Sequence, residues 1–354
     1  MSSIDNYLGA IKAYDGPPVK LMEVCGTHTH NIFRYGIPAI LPSSITLISG
    51  PGCPVCVTPA EYIDRAAKVS LQEGCTLCTF GDMVRVPGHK TSLSDAKAAG
   101  GSVKIMYSPM EVLDWAKKEP DETFYVTAVG FETTLPIYAL LLERILENGL
   151  PNIKMLISVK ALMPALYWIC DNNPNISGFI GPGHVSTIIG WGVYEPLCKK
   201  YGIPFAVGGF GYEHIIAAIY DLIQQNRFAT CDVHNLYPNA VSREGNQNAL
   251  SLISKYFTKK PSTWRGLGEI DGSGYFLSSG YEKFDGGSDI DYSNIPETSG
   301  CLCGSVITGR AKPVDCAFFA KGCSPERPLG PCMVSSEGTC GIWYRNGAKG
   351  KDRL

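Results

Sequence analysis

Apolar, β-branched runs punctuate the first two thirds of the chain. They fall at residues 19–24, 45–49, 75–80, 103–107, 123–129, 153–159, 176–180 and 204–207. Neighbouring starts are roughly 20 to 30 residues apart, room for one strand, one helix and two loops. Helical periodicity fits between them, at 135–148 and, after the last run, at 212–226, where Ile215, Ile216, Ile219, Leu222 and Ile223 share one face. Strands alternating with helices predict parallel sheets covered on both faces.

Two of the runs end alike. Ile48-Ser49-Gly50-Pro51-Gly52 resembles Phe179-Ile180-Gly181-Pro182-Gly183, which suggests a duplication, although Gly-Pro-Gly is also simply a good turn. The pattern predicts two similar parallel-sheet α/β lobes of about four strands each around a cleft. They occupy residues 16–118 and 119–234, with Glu119-Pro120-Asp121-Glu122 as the linker. Beyond about 235 the periodicity weakens. Residues 249–257 read as a helix, and 266–293, rich in Gly, Ser, Asp and Tyr, reads as irregular. A small C-terminal domain, 235–354 with 1–15, completes the expected architecture.

The unusual residues follow the strands. Cys25-Gly26-Thr27-His28-Thr29-His30 follows the first, Gly50-Pro51-Gly52-Cys53-Pro54-Val55-Cys56 the second, and Gly81-Asp82 the third. Gly130-Phe131-Glu132 follows the fifth, Gly181-Pro182-Gly183-His184 the seventh and Gly208-Gly209-Phe210-Gly211 the eighth. Ligands of open parallel sheets bind beyond the carboxyl ends of the strands, so these loops are expected to face one cleft.

Composition narrows the function. The chain is 45% hydrophobic and 18% charged, with a formal net charge of −2, which fits an ordered globular protein without the basic footprint of a nucleic-acid or anionic-membrane binder. No apolar stretch reaches the ~18 residues of a spanning helix, and the N-terminus lacks a signal-peptide core. A cytoplasmic protein is expected. Fourteen cysteines then suggest metal or redox chemistry before structural disulfides.

Cys53 and Cys56 sit between a strand and a helix signal: Thr58, Pro59 and Glu61 read as a capping box, with Val57 and Tyr62 as a staple. A helix N-terminus lowers a thiol pKa, so the pair is expected to be reactive; two packed cysteines in a tight turn is the alternative. Cys25 with His28 and His30 offers a nucleophile or a soft metal site. Asp82 and Glu132 can orient an imidazole, contact a ligand or cap a turn. Cys75 and Cys78 repeat the Cys-x-x-Cys spacing, but inside a strand they point to opposite faces. Cys170, Cys198 and Cys231 read as isolated bystanders. The 208–211 loop lacks the Gly-Lys-Ser/Thr of a phosphate cradle.

Cys301, Cys303, Cys316, Cys323, Cys332 and Cys340 lie within forty residues that carry too little apolar periodicity for an ordinary core. A metal would supply the missing stability. Wide spacings without two short knuckles favour an iron–sulfur cluster gathered from several loops, with zinc or an inert or disulfide-bonded set as alternatives. Four ligands leave two thiols over, a candidate redox pair.

Together these stretches resemble the HypD-type maturation factors of [NiFe]-hydrogenases. The resemblance rests on the segments 23–30, 50–56, 80–88 and 130–134, on Lys312-Pro313-Val314-Asp315-Cys316, and on the run from Gly330 to Cys340. It implies a scaffold on which the Fe(CN)2CO group is assembled, working with a HypC-type small chaperone and a HypE-type cyanide-delivering protein. It implies a [4Fe-4S] cluster on Cys301, Cys316, Cys323 and Cys340, with Cys303 and Cys332 as the spare redox pair; the choice of first ligand between Cys301 and Cys303 is open. Cys25 is then the expected iron ligand, beside a cysteine of the chaperone, with His28 tuning it and Cys53/Cys56 exchanging dithiol and disulfide. Electrons are expected to run from the cluster through the thiol pairs to the iron. The alternatives are a cluster-dependent thiol–disulfide oxidoreductase acting on a protein partner, and a zinc-stabilised binding protein.

Overall fold

Strands of covered parallel sheets read as near-continuous apolar runs, and each of the eight apolar runs is a strand. They are β1 Val19–Glu23, β2 Ile45–Ser49, β3 Cys75–Thr79, β4 Val103–Ile105, β5 Thr123–Gly130, β6 Ile153–Lys160, β7 Gly178–Pro182 and β8 Phe205–Gly208. Three more follow: β9 Val233–Asn235, β10 Phe257–Trp264 and β11 Gly268–Leu277. The computed structural model describes residues 3–173, 175–288, 290 and 300–347.

The strands form two sheets. The first, in the order β2-β1-β7-β8-β9, is parallel throughout. The second, β10-β11-β6-β5-β3-β4, is parallel from β6 to β4, and the β10–β11 hairpin joins its β6 edge antiparallel. Two α/β lobes are therefore present, but their sheets do not follow the expected boundary at 118/119. The first draws its strands from 19–49 and 178–235, the second from 75–160 and 257–277. Packing decides this: β1 takes β7 as its second neighbour, Leu21 opposite Gly178, and the missing side chain at 178 leaves room for Leu21 and Leu222. The two Gly-Pro-Gly turns accordingly mark β2 and β7 on either side of β1 in one sheet, not equivalent places in two lobes. The expected linker 119–122 joins the helix Glu111–Lys118 to β5, and Glu122 accepts a hydrogen bond from Thr76 of β3 at 2.7 Å.

The expected helices are Leu135–Asn148 and Tyr212–Phe228, the latter with its five named aliphatic residues fully buried. The helix expected at 249–257 is Gln247–Tyr256, capped by Asn246, whose Oδ1 accepts from the Ala249 N–H at 3.0 Å. The stretch read as irregular holds β11, whose glycines and mixed burial hide its alternation; positions 289 and 291–293 of that stretch lie outside the described residues. Its hairpin turn needs Gly266, at φ +81°, where a β-carbon would meet Gly304 Cα at 2.4 Å.

Among the described residues from 300 onward there are only short helical turns, Cys303–Ile307, Pro331–Val334 and Thr339–Arg345 being α-helical. This unit lies on the first lobe: Asn173 donates to the Thr308 carbonyl at 2.9 Å, and the Phe33 and Trp343 rings are 5.3 Å apart. One buried apolar cluster runs through both lobes and this unit, taking in Met22, Leu77, Val103, Phe205 and Met333.

Candidate functional site: three groups of thiols

Cys25 leaves β1 and serves as N-cap of the helix Gly26–Arg34, with φ −150° and ψ 122°. Backbone N–H groups of Thr27 and His28 face its sulfur and favour the thiolate; burial, with the Glu337 and Glu23 carboxylates nearby, opposes them and pushes the thiol up to about 12. The carboxyl of Glu23 closes the other side: Oε2 accepts from the Cys25 N–H at 3.0 Å and Oε1 from the Thr29 hydroxyl. Burial raises Glu23 to about 8, so it is largely protonated at neutral pH. Sequence reasoning did not single out Glu23 as a site residue, although an acid closing an apolar strand just before a cysteine is a usable signal.

His28 does not turn to the thiol. Its ring is fully buried and meets the Gly209 carbonyl through Nε2 at 2.9 Å. Burial lowers it to about 4, so the imidazole is neutral, Nε2–H donates to the carbonyl, and Nδ1 is a buried acceptor with no hydrogen-bond partner. Phe210 packs against both His28, ring centroids 4.7 Å apart, and His184, 4.0 Å, the rings tilted by 34° and 30°. The glycine-rich loop after β8 thus holds two histidines. His30, on the same helix, is exposed.

The turn after β2 packs directly on Cys25. Gly26 N–H donates to the Gly52 carbonyl at 3.3 Å, and a β-carbon on Gly52 would sit 2.4 Å from Cys25 N. Cys53 and Cys56 form a disulfide. Cys53 is the N-cap of the short helix Pro54–Val57, its sulfur accepting from the Cys56 N–H at 3.2 Å. This turn replaces the expected capping box. Thr58 donates back to the Pro54 carbonyl at 2.9 Å, the helix Ala60–Ser70 starts without a side-chain cap, and Glu61 faces His89 at 3.1 Å. Tyr62 donates its hydroxyl to the Leu156 carbonyl.

Glu132 is buried and caps a different helix: Oε1 accepts from Leu162 N–H at 2.9 Å, Oε2 has no hydrogen-bond partner, and burial lifts the carboxyl to about 7. Glu132 and Cys25 both act electrostatically on the buried Tyr194, whose hydroxyl meets Ser186 at 2.9 Å. Asp82 lies exposed on the turn after β3.

In the C-terminal unit Cys301, Cys303, Cys316, Cys323 and Cys340 line one small void, whose other walls include Phe318, Phe319 and Met333. The Cys301 and Cys303 sulfurs are 3.3 Å apart. Gly330 leaves them space, since a β-carbon there would meet the Cys303 sulfur at 2.5 Å. Among the described residues no three His, Cys, Asp or Glu side chains are arranged around a single metal ion. Cys332 is fully buried and in side-chain contact with Cys303 and Cys340. Its helix, Pro331–Val334, packs on the Pro54–Val57 helix of the disulfide. A few residues on, Glu337 accepts from the Thr27 hydroxyl at 2.8 Å, and Gly26 lets the two segments touch. Sequence reasoning missed Glu337, which is 310 residues from its partner.

Two cysteines read as isolated are not. The Cys198 and Cys231 sulfurs are 2.6 Å apart. Cys170 is buried, as are Cys78 and half of Cys75 in β3.

The family model described as "HypD: Hydrogenase formation hypA family" matches residues 2–347. A "Hydrogenase maturation factor HypD" from Rhodobacter capsulatus is 40% identical over 338 residues, 93% of this chain and 90% of that protein. One from Escherichia coli is 37% identical over 334 residues, 93% and 89% of the two chains. A putative hydrogenase expression/formation protein of Methanocaldococcus jannaschii is 39% identical over 332 residues, 92% of each chain.

Proposed function

The chain belongs to the HypD family of hydrogenase maturation factors, and on that premise we propose that it is the scaffold on which the Fe(CN)2CO group of [NiFe]-hydrogenase is assembled. One observation carries this reading: the Cys53–Cys56 disulfide shares one packed core with Cys323, Cys332 and Cys340, its helix touching the Cys332 helix, and the glycine turn that leads into the disulfide presses on the backbone of Cys25.

Cys25 is the ligand to the iron cargo. Its thiol holds its proton while the site is dry; a soft iron(II) ion displaces that proton, and the N–H groups of Thr27 and His28 then stabilise the sulfur. His28 positions the loop after β8 and keeps a neutral acceptor in the site. Cys53 and Cys56 take two electrons and two protons to become a dithiol, and return them on closing.

A void walled by thiols and apolar side chains suits an iron–sulfur cluster, whose bridging sulfides let its protein ligands stand apart. Cys316, Cys323 and Cys340, with Cys301 as fourth ligand, would hold a [4Fe-4S] cluster, which supplies single electrons when bound. Cys303 and Cys332 touch one another between those thiols and the disulfide helix, the order that an electron relay toward Cys25 needs. The protein works in the cytoplasm with a HypC-type chaperone, which contributes a second thiolate to the iron, and a HypE-type cyanide donor. Among the described residues no helix is long and apolar enough to cross a membrane.

Anaerobic co-purification with the small chaperone, followed by iron and sulfide analysis and infrared spectroscopy, tests the reading. Cyanide and carbonyl bands that vanish in Cys25→Ser, with about four irons and four sulfides left on the chain, are expected. Retention of the bands in Cys25→Ser would overturn the ligand assignment. A chain with the cluster but no bands in either form would favour the thiol–disulfide oxidoreductase.

A further inference from the structure

Cys198 and Cys231 take no part in the site just described. Cys198 lies in the helix Glu195–Tyr201 and is 2% exposed; Cys231, half-buried, lies in the connection between the helix Tyr212–Phe228 and β9. Their sulfurs are in contact at 2.6 Å, and the Cys231 thiol also faces the Cys198 carbonyl at 3.3 Å. The connection is held in place. Asp232 N–H donates to Gln225 Oε1 at 2.8 Å, Thr230 N–H to the Gln225 carbonyl at 2.9 Å, and His234 meets Asp221 at 2.7 Å. The two thiols are therefore positioned against each other by packing on both sides.

Their place separates them from the electron relay. β8 and β9 run parallel with Phe205 opposite Val233, and both cysteines precede these strands. The loops around Cys25 leave the carboxyl ends of the same sheet, so the pair sits at its opposite end. Burial and the neighbouring Cys231 thiol raise the Cys198 thiol, which leaves the more exposed Cys231 to react first.

We infer that Cys198 and Cys231 form a second oxidisable thiol pair, a modification site for small disulfides such as oxidised glutathione. The Cys231 thiolate attacks one sulfur of the small disulfide; a mixed disulfide forms on Cys231 and one small thiol leaves with the proton. Cys198 then displaces the second small thiol, forming the Cys198–Cys231 bond. The protein pair is oxidised by two electrons and the small disulfide is reduced to two thiols. The new bond ties the Glu195–Tyr201 helix to the entrance of β9 and encloses β8 and the Tyr212–Phe228 helix in a covalent loop, with Cys198 and Cys231 33 positions apart.

The test uses the full chain, purified without oxygen, pre-reduced, and then treated with oxidised glutathione. Alkylation under denaturing conditions and peptide mass mapping read every cysteine, with Cys53–Cys56 as the internal measure of oxidant strength. A linked Cys198–Cys231 peptide and loss of labelling at both positions are expected. In Cys198→Ser, one glutathione should remain on Cys231; in Cys231→Ser, Cys198 should stay free for alkylation. Full labelling of both cysteines in the wild-type chain, at an oxidant level that closes Cys53–Cys56, would overturn the inference, and this readout needs no variant to fold.

Discussion

The chain uses the Cys-x-x-Cys spacing twice within its first eighty residues, and only one of the two brings its sulfurs together. Cys53 and Cys56 straddle one turn of helix, N-cap and third helical position, where the sulfurs meet. Cys75 and Cys78 lie in β3, where residues three apart face opposite sides. Cys78 is sealed in the core of the second lobe while Cys75 is half-buried at the strand's start. Equal spacing gives a disulfide in one place and two unrelated side chains in the other. Backbone conformation, which neighbouring Pro and Gly control, makes the difference.

Substitution should widen that contrast. The largest effect is expected on activity: Cys53→Ser or Cys56→Ser should abolish hydrogenase maturation in a complemented strain, while Cys75→Ser and Cys78→Ser should leave it intact. Equal losses at the two pairs would break the comparison. Next comes the support of the disulfide turn. Gly52→Ala forces a β-carbon onto the Cys25 backbone, where neither side is a flexible tip, and should cost about 3 kcal/mol in denaturant unfolding. A change near zero would mean that the turn does not press on Cys25.

Cys78→Ser buries a hydroxyl in an apolar core and should cost about 2 kcal/mol without touching function. A pH series isolates Glu23 beside the turn. Its carboxyl is raised in the fold, so its contribution to stability is complete below the unfolded value near 4.5 and is lost as pH rises to about 8. Glu23→Gln should flatten the stability profile over that window, by at most about 1.4 kcal/mol per pH unit; an unchanged slope would place the titration elsewhere. Smallest of all, Cys75→Ser should shift stability by no more than about 0.5 kcal/mol.

Much of this was legible in the chain itself. Parallel strands read as apolar runs whether central or at an edge, so all eight could be read, and with them the loops that carry the cysteines and histidines. The order of strands could not. It turns on contacts such as Leu21 over Gly178, which no local pattern encodes. The β10–β11 hairpin hid behind the glycines of β11 and a burial pattern that does not alternate cleanly in either strand. Glu337 was invisible as a site residue because its role exists only against Thr27, and Cys198 and Cys231 looked solitary because their meeting depends on how a helix and a loop pack at one end of a sheet. Spacing pointed to the cysteines, while tertiary packing decides which of their sulfurs meet.

The interleaving of the two sheets also sets a timetable for the protein as it leaves the ribosome. Strands β3 to β6 are contiguous in sequence and can pair as soon as they emerge, but β1 must wait for β7 before its second edge is covered. The clasp between Thr27 and Glu337 cannot close until nearly the whole chain has been translated. A nascent chain therefore exposes Cys25 with an incomplete wall around it. The wall around Cys25 is therefore complete only at the end of synthesis, and under the scaffold role proposed above an unfinished chain would be a poor competitor for the metal group.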